Sequence, residues 1–295
     1  MSDRIGFSLA PTRQLRRRKA VNRLMEALML TAALAAVAVL VLVVAAVVVR
    51  GHGALTKDFF TKGPATGFLD SGGGGILNSI VGTIVIVGCA TVFSLPLGIM
   101  IAIYSSEFAA PQVRRFIGFV LDVLNGLPSI VIAIFIFGLL VLGHAQSALA
   151  AGVALAIIML PLIARSAQEV LALVPESLRE ASFALGVSRW RTVLGVILPT
   201  SFGGILTGAT LAIARAAGET APLLFTCALT TNQTSWDPRQ ALQSIPLTIF
   251  EDLEQPDPAL HTQAWGAALV LMGFVLAVSV LSKVVLARSR RKLTR

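Results

Sequence analysis

The stretch from about Leu24 to Val49 is an unbroken apolar run. A helix needs only ~20 such residues to cross the hydrocarbon core of a bilayer. Five further apolar segments follow, near 76–104, 118–142, 147–164, 196–228 and 264–286. In lipid a spanning backbone satisfies its own polar groups only as a helix or a closed barrel, and runs of this length select the helix. The expected fold class is therefore an all-α membrane protein with six transmembrane helices. Composition agrees: 56% of the 295 residues are hydrophobic and 13% are charged, about half the charge of an ordinary soluble domain. A cleaved signal peptide also starts basic and turns apolar. Its apolar core is only about 7–15 residues and ends at small residues, whereas this run ends Val47-Val48-Val49-Arg50.

The net charge of +9 raises the question of nucleic acid. The placement of the charges answers it. With both termini inside, the segments before the first span, around Arg114 and Arg115, from Arg165 to Arg191, and from Lys283 to Arg295 hold nearly all the basic residues. Only Arg50, Lys57, Lys62 and Arg239 fall outside, and Arg215 lies within a span. This obeys the positive-inside rule, so the basic balance reflects insertion and anionic headgroups, with membrane lipid and no nucleic acid as partner.

Prolines 96, 128, 161, 199 and 222 and glycines such as Gly208 and Gly218 sit in or near the spans, as close helix packing allows. The glycine run from Gly72 to Gly75 has no preceding strand and no following Lys-Ser/Thr, so it is no nucleotide loop. It reads as a flexible entry to the second span, with Asn78 or Ser79 as its cap. The outer segment 229–263 reads either as a solvated loop or as a short surface helix that meets an external partner. Cys89 and Cys227 lie in apolar runs and read as small core residues. His52, His144 and His261 lack metal-ligand spacing, and no nucleophile–base constellation is visible, so a membrane enzyme is disfavoured.

The longest inner loop, 165–199, carries Leu171, Val174, Leu178, Ala181 and Leu185 at helical spacing. It predicts a short amphipathic helix, a sharp turn at Gly186, and a second helix entering the membrane through Pro199. Periodicity leaves two readings: a helix lying at the membrane surface, or one that docks another subunit. The fifth span contains Arg215 close to the expected bilayer midplane, where a charge costs about 2.5–3.5 kcal/mol. Glu219 follows one turn later, at a spacing that lets the pair meet. The pair reads either as a structural ion pair or as a cation beside the path of an anion. Arg165, at the inner end of the fourth span, is open to the simpler reading that it snorkels to the headgroups. Asp122 is a further polar candidate.

The segment Glu180-Ala181-Ser182, then Gly186, then Val196-Ile197-Leu198-Pro199 resembles the signature of ABC importer permeases. Ser182 and Val196 are mild departures that keep size or hydrophobicity. The resemblance implies a MetI-like, type I importer bundle with a cytoplasmic coupling helix, and it makes Glu180, Ala181, Ser182 and Gly186 ATPase-coupling residues. The stretches 124–138, 163–186 and AIARAAGETAPLLFT from Ala212 to Thr226 are similar to the PstA-type permease of the bacterial phosphate importer. That likeness implies a substrate pathway through Arg165 and Arg215, with Glu219 as acidic partner and Thr220 beside it. It also implies a non-enzymatic subunit without cofactor, ATP and Mg being bound by two copies of a cytoplasmic ATP-binding subunit. A sister permease and an extracytoplasmic phosphate-binding protein would complete the importer. Rival readings are a permease for molybdate, sulfate or a neutral solute, and a passive channel or ion-coupled transporter. The expected organisation is a basic N-terminus 1–23, a first span 24–49, an outer loop 50–75, a permease domain 76–287 and a basic tail 288–295.

Overall fold

An apolar helix without a polar face must find lipid or protein on every side. The first helix, α1 (Arg13–Gly51), extends well beyond the 26 residues of the apolar run. Leu24, Leu30, Val37, Leu42 and Val43, which point in different directions around it, are all exposed, as suits a lipid-facing span. The structure is a computed structural model that describes residues 13–64, 74–228, 231 and 234–293. Residues 50–295 form a compact unit of their own.

In that unit the order is α2 (Lys57–Thr61), α3 (Leu77–Ile103), α4 (Pro111–Gly126), α5 (Ser129–Ile136), α6 (Ala148–Ala172), α7 (Glu176–Ala184), α8 (Arg189–Thr192), α9 (Leu198–Ala217), α10 (Ala221–Thr226), α11 (Ile245–Glu254) and α12 (Pro258–Leu293). A wide π-type turn, Val193–Ile197, joins α8 to α9, so one long helix runs from Arg189 to Ala217. It carries Pro199 in its second section, as expected. Among the described residues five helices are long and apolar enough to cross a membrane, six if the bent pair of α4 and the helix from Ser129 counts as one span.

The third expected span, 118–142, is not straight. α4 and the helix beginning at Ser129 meet at 95°. Leu127 precedes Pro128 and sits in extended backbone at φ −68° and ψ 135°, because the proline ring excludes the helical region for the residue before it. The fifth span is also interrupted: α9 ends at Ala217, and Gly218 to Thr220 separate it from α10.

α6 is the central helix. Its Ala151, Ala154, Leu155, Met159 and Ile163 are buried with Ile86 and Ala90 of α3 and with Ala212 and Ala216 of α9. The contact with α3 is close because Gly152 lacks a side chain: a Cβ there would lie 2.7 Å from Cβ of Cys89. Small residues allow such approach where lipid supplies no hydrophobic drive between helices. Cys227 is buried in the same core, Cys89 is half-buried, and both are free thiols.

At one end of the bundle α11 packs by polar contacts. Asn78 donates to Gln243 Oε1 at 2.8 Å, Ser79 and Thr248 share a hydrogen bond of 2.7 Å, and Ile245 N donates to Thr83 Oγ1 at 2.9 Å. Asn78 and Ser79 are therefore not caps. They are buried, Asn78 against Gln243 just before α11 and Ser79 against Thr248 within it, and α3 starts from Ile76 without a side-chain cap. The segment 229–263 does contain a helix, but Ile245, Leu247 and Thr248 bury it against the bundle. The entry to α3 is pinned, too: Gly75 N donates to Gly63 O at 2.8 Å and Ile76 N to Phe59 O at 2.9 Å. Gly72 and Gly73 lie outside the described residues.

Candidate functional site

Two constellations carry chemistry, and each begins with a break in a helix. Pro175 ends the run of α6 and starts α7. The apolar stripe read from the sequence is divided there. Leu171 and Val174 belong to the core, while Leu178, Ala181 and Leu185 remain exposed, Leu185 at 83%. α7 closes in a Schellman turn: Gly186 takes φ +72°, its N–H donates to Phe183 O at 2.9 Å, and Val187 N–H donates to Ser182 O at 3.2 Å. Glycine is the residue that adopts this left-handed backbone without steric cost.

Polar side chains hold α7 to the bundle. Arg179 pairs with Glu107 at 3.0 Å, in the π-type turn Tyr104–Phe108 that continues α3, and with Glu176 at 3.0 Å. It also donates to Val174 O at 2.8 Å and Leu171 O at 3.0 Å. Ser182, which takes the place of the signature's second alanine, is buried and shares a 2.8 Å hydrogen bond with Thr192 of α8. Glu180, Ala181 and Gly186 are exposed. With Leu178, Phe183 and Leu185 they leave an apolar, acid-edged surface uncovered in this chain. Arg179 was not among the expected site residues. Its signal was its place on the helix side that faces Glu107, which periodicity does not reveal.

The second constellation surrounds Arg215, one turn before the break that ends α9. Glu219 Oε1 lies 3.5 Å from Arg215 Nε, an ion contact longer than a tight hydrogen bond. The arginine side chain is 52% exposed and the glutamate 19%. Arg215 lines a cavity of about 190 Å³ with Asn125, Leu127, Pro128, Ser129 and Ile158. The 95° bend between α4 and α5 thus creates the wall opposite the arginine. Asn125 and Ser129 add polar groups there that the sequence reading missed; the Asn-Gly-Leu-Pro run inside an apolar segment was the available signal. Thr220 sits in the α9–α10 break, its carbonyl accepting from Leu223 N and Leu224 N.

Arg165 does not join Arg215. It lies seven residues beyond Ile158 on α6, about 10 Å along the helix. Nor does it simply snorkel: it forms an ion pair with Asp122 at 2.5 Å and donates to Gly118 O at 2.6 Å. It therefore ties α6 to α4. Among the described residues no group of three or more His, Cys, Asp or Glu side chains is placed to hold a metal ion.

A bundle of apolar helices around a buried central span, with a charged break inside it and an exposed amphipathic helix at one end, is the architecture of an importer permease. The chain belongs to the family of binding-protein-dependent transport system inner membrane components, which matches residues 94–295. It is 36% identical to phosphate transport system permease protein PstA 1 of Mycobacterium tuberculosis (strain ATCC 25618 / H37Rv) over 94% of this chain and 92% of that protein. To the PstA protein of Yersinia pestis it is 36% identical, with 92% of each chain covered. The fold is also that of a chain of the MetNI methionine ABC transporter in its inward-facing conformations, with a TM-score of 0.57 and 18% identity. That match covers 72% of this chain and 94% of the other.

Proposed function

We propose that this chain is a permease subunit of an ATP-driven importer that moves inorganic phosphate across the cytoplasmic membrane by alternating access. The observation that carries the reading is Arg215, half exposed in a cavity between helix breaks and only loosely answered by Glu219. Phosphate is anionic near neutral pH, and a guanidinium offers it a bidentate contact. A single cation partly balanced by a carboxylate binds the anion without trapping it. The phosphate-transport relatives support the same substrate.

In this reading both termini and α7 are cytoplasmic, and α11 faces the other side. ATP and Mg²⁺ belong to two copies of a partner ATPase, whose surface receives Leu178, Glu180, Ala181 and Leu185. The chain works as a heterodimer with a sister permease, and an extracytoplasmic binding protein delivers the phosphate. Closure of the ATPase pair moves α7. Arg179 passes that motion to the end of α3, and Ser182 passes it through Thr192 to the long helix that bears Arg215.

The test is uptake of labelled phosphate into proteoliposomes holding the full complex, with binding protein and with or without ATP. Uptake that requires ATP and resists excess sulfate and molybdate is expected. Uptake independent of ATP would overturn the importer reading, and displacement by sulfate or molybdate would reassign the anion.

A further inference from the structure

A polar cavity of about 520 Å³ lies at the α7 end, far from Arg215. Four arginines line it, Arg114, Arg165, Arg179 and Arg189, against two carboxylates, Glu107 and Glu176. The carboxylates are both committed to Arg179, and Arg165 is answered from outside the cavity by Asp122. Arg114 and Arg189 are different. Among the described residues neither has a carboxylate within ion-pair distance, and the Arg189 side chain makes no hydrogen bond either.

Arg114 is nevertheless held in place. Its Nε donates to Ser105 O and its Nη2 to Ser106 O, each at 2.8 Å, leaving Nη1 unused. The carbonyls fix the guanidinium plane without neutralising its charge. Gln168 continues the lining, donating to Ser105 Oγ at 2.6 Å and accepting from Arg165 at 3.2 Å. A fixed guanidinium and a second cation lining one cavity suit a tetrahedral dianion or monoanion better than a planar apolar ligand. The volume falls in the range of roughly 300–1,000 Å³ typical of small-molecule sites.

The geometry points to a second anion site in this cleft, which takes a phosphate group between Arg114 and Arg189. The group comes either from inorganic phosphate at the cytoplasmic mouth or from the phosphodiester of an anionic inner-leaflet lipid. The site is separate from the Arg215 cavity and shares no lining residue with it. Its side of the membrane rests on the orientation proposed above; its chemistry does not.

The experiment uses the assembled complex in nanodiscs, without ATP or binding protein, made from phosphatidylcholine alone or with added phosphatidylglycerol. Binding of radiolabelled inorganic phosphate and the phosphatidylglycerol retained on purification are both measured. Arg215→Gln should keep the cleft's binding. The Arg114→Gln/Arg189→Gln variant should weaken binding about tenfold or more, the scale of a lost charge-assisted hydrogen bond. Arg189→Gln alone should cause a smaller loss, and since the Arg189 side chain is exposed that variant keeps its fold. Loss of phosphate binding in phosphatidylcholine assigns the free anion; loss only of retained phosphatidylglycerol assigns the lipid. Unchanged binding of both probes, or no binding of either by the unmodified complex, overturns the site. ATP-driven uptake is followed in parallel, so failure of the importer reading is seen separately.

Discussion

Arg179 of α7 and Glu107 of the turn that continues α3 form an ion pair 3.0 Å long, with side chains only 13% and 9% exposed. The two residues are 72 positions apart, so the pair joins a surface helix to a spanning helix across the fold. Removing one partner of a buried pair leaves the other charge uncompensated and costs about 3–5 kcal/mol. Arg179→Ala should therefore loosen α7 while the spans stay folded. The expected result is hydrolysis of ATP that no longer rises when loaded binding protein is added, together with loss of uptake. Uptake per ATP equal to that of the unmodified complex would remove Arg179 from the coupling path.

Gly186 supports the same helix in another way. Its φ of +72° and its N–H bond to Phe183 O are both needed for the turn. Gly186→Ala places a Cβ in the left-handed region at a cost of about 1–2 kcal/mol, and it should reduce coupling partly. Gly186→Pro also removes the donor and cannot take the positive φ. It should abolish phosphate-stimulated ATP hydrolysis, although the protein still inserts and retains its Arg215 cavity. Normal stimulation in the proline variant would contradict the coupling role of this turn.

Much of the fold was legible because span formation depends on a sum over about twenty side chains, which single residues rarely reverse. The turn at Gly186 was legible for a local reason, since glycine is favoured by its backbone conformation. Partners were harder. Arg165 and Asp122 are distant in sequence, and their pairing depends on how α4 crosses α6, which hydropathy does not encode. The 95° bend was hidden within one apolar run, as direction leaves no mark on mean hydropathy; only Leu127-Pro128 carried it. Asn78 and Ser79 occupy positions typical of a cap, but Gln243 and Thr248, just before and within α11, offer them buried partners, and tertiary contacts prevailed over the local preference.

Asp252 supplies a pH-dependent prediction. It is buried in α11, and its Oδ2 has no hydrogen-bond partner among the described residues. Burial, helped by the neighbouring charge of Glu251, pushes its pKa up from 3.8 to about 7. Below the unfolded value both states are protonated and the group imposes no penalty. As pH rises toward 7 the unfolded chain releases its proton first, so stability falls across that window and levels off above it. Asp252→Asn should flatten this slope and raise the midpoint of thermal unfolding at pH 8 relative to the unmodified protein. Glu251, whose pKa burial also raises against the opposing bond from Gln243, retains a weaker slope of the same sign. Parallel stability curves for the two proteins between pH 5 and pH 8 would show that Asp252 does not titrate in this way.

Arg215 and Glu219 divide binding from release. Their contact is 3.5 Å long and the arginine is half exposed, so it contributes at most about 1 kcal/mol to stability. Arg215→Gln should leave assembly with the ATPase intact yet abolish phosphate uptake, because the remaining lining of Asn125, Ser129 and apolar side chains offers no charge to the anion. Glu219→Gln acts in the opposite direction. It leaves the guanidinium unbalanced, so phosphate should be held more firmly and leave more slowly. The expected signature is a lower KM with a lower maximal uptake rate, whereas a purely structural pair would change protein yield and leave both constants alone. Unchanged uptake in Arg215→Gln would exclude the pathway role. A rise in KM for Glu219→Gln would show instead that the carboxylate orients the arginine toward the anion and does not moderate its grip.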